Sequence, residues 1–126
     1  MSPANTKDLT MPFPAIDYTE AVPSVRPAQL AQELADGRDL YLLDVRRPDE
    51  YTFCCLPETH LITLDTLPAR FFELPRDRDI VVYCHHGNRS SFATRLLRAV
   101  GFDRVRNLTG GIDAWSDEVD PSVPKY

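Results

Sequence analysis

The chain has 126 residues, 43% of them hydrophobic, and a net charge of −5. That length holds one domain, whose core buries roughly two-thirds of the unfolded surface and needs no metal or disulfide staple. The acidic balance argues against a generic nucleic-acid or anionic-membrane surface, and no apolar run approaches bilayer length. Residues Met1–Thr10 show no basic stretch followed by an apolar one, so no secretory signal is read and a cytoplasmic location is expected.

Residues 1–23 are rich in proline (Pro3, Pro12, Pro14, Pro23) and lack a sustained period, which reads as a tail or arm ahead of a single domain over 24–126. After Ser24, Leu30, Ala31 and Leu34 recur at helical spacing, with Pro27 near the start and Gly37 past the end. Asp39–Val45 is a nearly continuous apolar run, the pattern of a strand buried on both faces of a parallel sheet; Ile80–Cys84 repeats it. His60–Thr63 and Arg104–Leu108 are weaker strand candidates, and Leu67–Leu74 and Arg89–Val100 read as helices. In the second helix Phe92, Ala93, Leu96, Leu97 and Val100 form one apolar stripe, closed by Gly101. The alternation predicts an α/β fold with a central, mostly parallel sheet of about five strands covered by helices on both faces.

Three cysteines are present, and two of them, Cys54 and Cys55, are adjacent. This is a poor disulfide framework, so all three are expected as free thiols in a reducing compartment. Cys84 differs in its setting. A buried strand ends there, a short loop containing Gly87 follows, and a helix begins near Arg89. Ligands in open α/β sheets bind beyond the carboxyl ends of strands. The N–H groups of such a loop and of a helix's first turn form an anion-binding concavity. That concavity, with Arg89 nearby, favours thiolate over thiol, and Gly87 lets the backbone bend toward the sulfur. The competing reading is a structural cysteine closing a strand, since free cysteine is among the most buried residue types.

The segment Cys84-His85-His86-Gly87-Asn88-Arg89-Ser90 resembles the active-site loop of the rhodanese family. Leu43-Asp44-Val45-Arg46, followed by Pro48, Glu50 and Tyr51, resembles the upstream motif of that family, and Leu108–Trp115 the downstream one. The three occur in family order. The closing stretch Gly110–Tyr126 is similar to rhodanese modules of E1-like adenylyltransferases that activate sulfur-carrier proteins; with no room for a nucleotide-binding part, the chain would be the stand-alone form. The resemblance implies a rhodanese-like fold and a sulfurtransferase in which Cys84 takes a sulfane sulfur from a small anionic donor such as thiosulfate. The resulting persulfide passes sulfur to a thiol or protein acceptor, with a sulfur-carrier protein or adenylyltransferase among the implied partners. His85, His86, Gly87, Asn88, Arg89 and Ser90 would cradle the persulfide, with no cofactor and no metal.

Two alternatives stay open. One is a catalytically weak module that binds a sulfur carrier or partner. The other is a related cysteine-based phosphatase or arsenate reductase, whose loops resemble Cys-x5-Arg. Here four residues separate Cys84 from Arg89, a smaller ring that suits one sulfur better than a tetrahedral oxyanion.

Supporting roles are expected for Asp44, accepting loop N–H bonds, and for Arg46 and Glu50, paired with each other or with loop backbone. Cys54 or Cys55 would resolve a Cys84 persulfide only if close to it; the plainer reading is small core or surface thiols. Glu58 stands where the family pattern has glycine, which puts the local turn in question. Trp115, Phe71 and Phe72 are core candidates. His85, His86 and His60 lack metal-ligand spacing, and the first two are expected as neutral imidazoles at the pocket mouth.

Overall fold

A computed structural model describes residues 14–126; residues 1–13, more than half of the expected arm, lie outside the described part. In chain order the elements are β1 (Ser24–Val25), α1 (Pro27–Ala35), β2 (Leu40–Asp44), α2 (Pro48–Phe53), β3 (Thr59–Leu61), α3 (Leu67–Arg70), β4 (Asp79–Tyr83), α4 (Asn88–Ala99), β5 (Val105–Leu108) and α5 (Gly111–Glu118). The five strands form one sheet in the order β1-β5-β4-β2-β3, and every pairing is parallel. The central strand β4 is therefore bonded on both edges, which suits its β-branched run Ile80-Val81-Val82.

Side chains alternate across the sheet and build one core on each face. Ile80, Val82 and Cys84 point to the face covered by Ala93, Leu96 and Leu97 of α4. Val81 and Tyr83 point to the other, with Leu30 of α1 and Ile112 and Trp115 of α5. Each fully buried aliphatic side chain of these layers contributes about 1.5–3 kcal/mol. A half-buried ion pair also joins β5 to α1: Arg106 reaches both oxygens of Glu33, at 2.7 and 3.0 Å.

Several expectations are corrected. Ser24–Val25, unread as a strand in the sequence, is a short edge strand whose backbone pairs with Asn107 and Leu108. Helix α2, unread in the sequence, starts with Pro48 at its first turn and Asp49 and Glu50 behind it. The helix expected over Leu67–Leu74 stops at Arg70 and tightens into a 3₁₀ turn over Phe71–Glu73. That change of pitch turns Phe72 out to 73% exposure, so it is not a core residue. Residues 14–23 lie against the domain: Arg95 of α4 donates to the carbonyls of Asp17 and Glu20, and Ile16 packs on the core.

Candidate active site

Cys84 follows the last residue of β4 and is 1% exposed. Two backbone donors converge on its sulfur: the N–H of Gly87 lies 3.1 Å from Sγ and the N–H of Ser90 3.3 Å, with the Ser90 hydroxyl oxygen also 3.3 Å away. The loop closes this tightly because Gly87 takes φ of 107°, the left-handed region, and its Cα faces Gly110 across a gap that leaves little room for a Cβ. From Gly87 the chain enters α4, so Ser90 N is a first-turn donor with no partner within the helix. Such an array stabilises negative charge on sulfur. Ser90 is itself aimed by Asn107 of β5, whose side-chain oxygen accepts the serine hydroxyl.

A second layer surrounds the loop. Arg89 makes a two-pronged pair with Glu50 of α2, at 2.7 and 3.0 Å. Glu50 also accepts the N–H of Arg47, the residue that caps α2. Arg89 and Tyr126 hold the Glu50 carboxyl well below the usual carboxylate range. Arg46, fully buried, donates to both oxygens of Asp44 and to Cys54 O. The phenol of Tyr126 lies between the two pairs, accepting from Arg46 Nη1 at 2.8 Å and donating to Glu50 at 2.7 Å. Its ring stacks on His85 at 3.8 Å with a 7° tilt, and His85 stacks on His86 at 3.8 Å. Burial, then the neighbouring His86, lowers the His85 pKa and keeps that imidazole neutral near pH 7.

The expected partnerships are thus exchanged. Arg46 pairs with Asp44 and Glu50 with Arg89, and Asp44 spends its acceptors on Arg46, including the Arg46 N–H, rather than on the loop. A carboxylate two residues from an arginine on the same strand end meets it first. Asn88, the first residue of α4, is exposed. Cys54 turns its thiol to Pro124 O at 3.6 Å, Cys55 is half-buried, and His60 stacks on Tyr41.

Among the described residues, His85, His86 and Asp113 bring possible ligand atoms within 4.8 Å of one another. Asp113 is already held by Lys125 at 3.1 Å, and His85 Nε2 is buried without a partner.

Asn107 and Tyr126 escape a linear reading. Asn107 stands on β5 directly after Arg106, so its polar character singles out nothing in the sequence. Gly111 lets α5 dock on the loop: Ile112 N and Asp113 N donate to the carbonyls of Cys84 and His85. Tyr126 carries no local signal; it returns to the site from beyond α5. Beside Arg89, an open depression of about 690 Å³ is lined by Val45, Arg46, Arg47, Pro48 and Leu64. No helix among the described residues is long and apolar enough to cross a membrane.

Comparison with known proteins follows this geometry. The chain is 42% identical over 94 residues to a sulfurtransferase of Allochromatium vinosum, a match covering 75% of this chain and 88% of that protein. It is 32% identical to the adenylyltransferase and sulfurtransferase uba4 of Ogataea parapolymorpha, over 75% of this chain but only 25% of that much longer protein. Among solved structures, a rhodanese-related protein from Thermoplasma volcanium superposes with a TM-score of 0.71 at 31% identity, covering 77% of this chain and 93% of that one. The rhodanese-like domain model matches residues 26–118, nearly all of the folded part, and the chain belongs to that family.

Proposed function

We propose that the chain is a sulfurtransferase that carries a sulfane sulfur on Cys84 as a persulfide. The observation behind this reading is the convergence of the Gly87 and Ser90 N–H groups on Sγ at 3.1 and 3.3 Å. Attack of the Cys84 thiolate on the outer sulfur of thiosulfate forms an Sγ–S bond and breaks the donor's S–S bond; sulfite leaves with the electron pair. An acceptor thiolate then attacks the outer sulfur of the persulfide and returns Cys84 as thiolate. Both covalent states are anionic, so one set of donors serves the whole cycle.

Arg89 takes a smaller part than its sequence position promises. Its charge is met by Glu50, so the amides of the loop hold the anion and Arg89 braces the helix start. The small ring suits one sulfur atom rather than a phosphate. We place the acceptor's approach at the open depression beside Arg89, and the likeness to uba4 favours a sulfur-carrier protein or adenylyltransferase as partner. We place the chain in the cytoplasm, as one domain over 24–126 with residues 1–23 as an arm. Intact-mass spectrometry after thiosulfate treatment tests the reading. Wild type gains one sulfur, cyanide removes it, and Cys84→Ser gains none. A Cys84→Ser variant that still loads sulfur would end the proposal.

A further inference from the structure

The segment from Val119 to Tyr126 leaves α5 and turns back over the carboxyl ends of the strands. Side chains hold it there: Ser116 Oγ donates to Val123 O at 2.7 Å, and Lys125 pairs with Asp113 and Asp117. At its far end Tyr126 meets three parts of the site at once. Its hydroxyl is the acceptor for Nη1 of Arg46, a guanidinium with no solvent exposure. The same hydroxyl donates to Glu50 Oε2, an oxygen that also receives Arg89 Nη2 at 3.0 Å. Its ring lies flat on His85, the residue after Cys84. Arg89 and His85 are the two ends of the loop that wraps the sulfur, and Ser90, one residue on, supplies one of its two amide donors.

We infer that Tyr126 is a positioning residue for sulfur transfer: its phenol ties the Glu50–Arg89 pair to the buried Arg46, and its ring shelves His85. The inference rests on Cys84 as the sulfur carrier. It extends that reading to a residue outside all three motifs and 42 positions beyond the cysteine. Two neighbouring ion pairs joined through one neutral hydroxyl can relax independently once it is gone. The start of α4 then shifts relative to Sγ, and a misplacement of an ångström in a catalytic array costs up to about 100-fold in rate.

The test compares wild type with Tyr126→Phe, which keeps the stack and loses the hydroxyl, and with Phe102→Leu, a core change outside the site. Sulfur loading from thiosulfate is followed by intact mass, and amide hydrogen exchange is read at Gly87 and Ser90 by NMR. Tyr126→Phe is expected to slow loading about tenfold at a donor KM within about twofold of wild type. It should also speed exchange at Gly87 and Ser90 but not at Val81 and Val82. Phe102→Leu should lower Tm while leaving loading unchanged and exchange no faster at the loop than elsewhere. Wild-type loading and loop exchange in Tyr126→Phe, or equal slowing by Phe102→Leu, overturns the inference. If wild type takes up no sulfur, the sulfurtransferase reading fails, and loop exchange alone decides the role of Tyr126.

Discussion

Glu58 enters β3 with φ at 52°, a backbone conformation that costs a residue with a Cβ about 1–2 kcal/mol. Glycine adopts it freely, at a price of about 0.5–1 kcal/mol in unfolded-state entropy. Glu58→Gly is therefore expected to stabilise the protein by about 0.5–1 kcal/mol, read as a higher urea midpoint at unchanged slope. The sequence left this turn in question, because glutamate stands where the family pattern has glycine; the chain keeps the turn despite the substitution. Phe72 shows the converse. Its apolar character was plain, but its exposure depends on a change of helical pitch at Phe71 that no periodicity announces.

At the scale of elements, the strand β4, its loop and the start of α4 form one contiguous stretch, and for that reason the Cys84 cradle could be read from local order alone. What the loop leans on could not. Glu50 and Arg89 are 39 residues apart, and Ser90 and Asn107 17 apart, so their pairing is decided by how α2 and β5 pack. Helix α5 is the closest of these supports. A Cβ on Gly111 would fall on the carbonyl oxygens of Cys84 and His85, at a φ of 64° that already disfavours side chains. Gly111→Ala is expected to cost about 2–4 kcal/mol and to slow sulfur loading, because α5 must lift off the loop. Denaturation and the loading assay, run side by side, check both halves.

Across the whole molecule, stability follows the charges that folding has displaced. The folded Glu50 carboxyl sits below its ordinary pKa, so its contribution is complete above about pH 4.5 and is lost as pH falls further. Glu33, held by Arg106, acts in the same direction. His85 acts earlier. Its folded pKa lies below the ordinary value of about 6.5, so the unfolded chain takes up its proton first and stability begins to decline below that pH. Denaturation between about pH 4 and pH 8 should show a shallow fall followed by a steep one. His85→Phe should flatten the shallow part. Glu50→Gln should soften the steep part and cost about 2 kcal/mol at pH 7, since its partner Arg89 is one-third exposed. Steep loss starting at pH 7 in both variants would contradict this assignment.

The supports of the Cys84 loop also have an order in time. The cysteine and its loop are synthesised before β5, α5 and Tyr126. Until then Ser90 lacks Asn107, the Cys84 and His85 carbonyls lack the amides of α5, and the Glu50–Arg89 and Arg46–Asp44 pairs are not yet bridged. A chain truncated after Val105 would therefore lack the supports that hold its thiol against the two amide donors of the finished fold. The site is complete only when Tyr126 packs against a loop made more than 30 residues earlier.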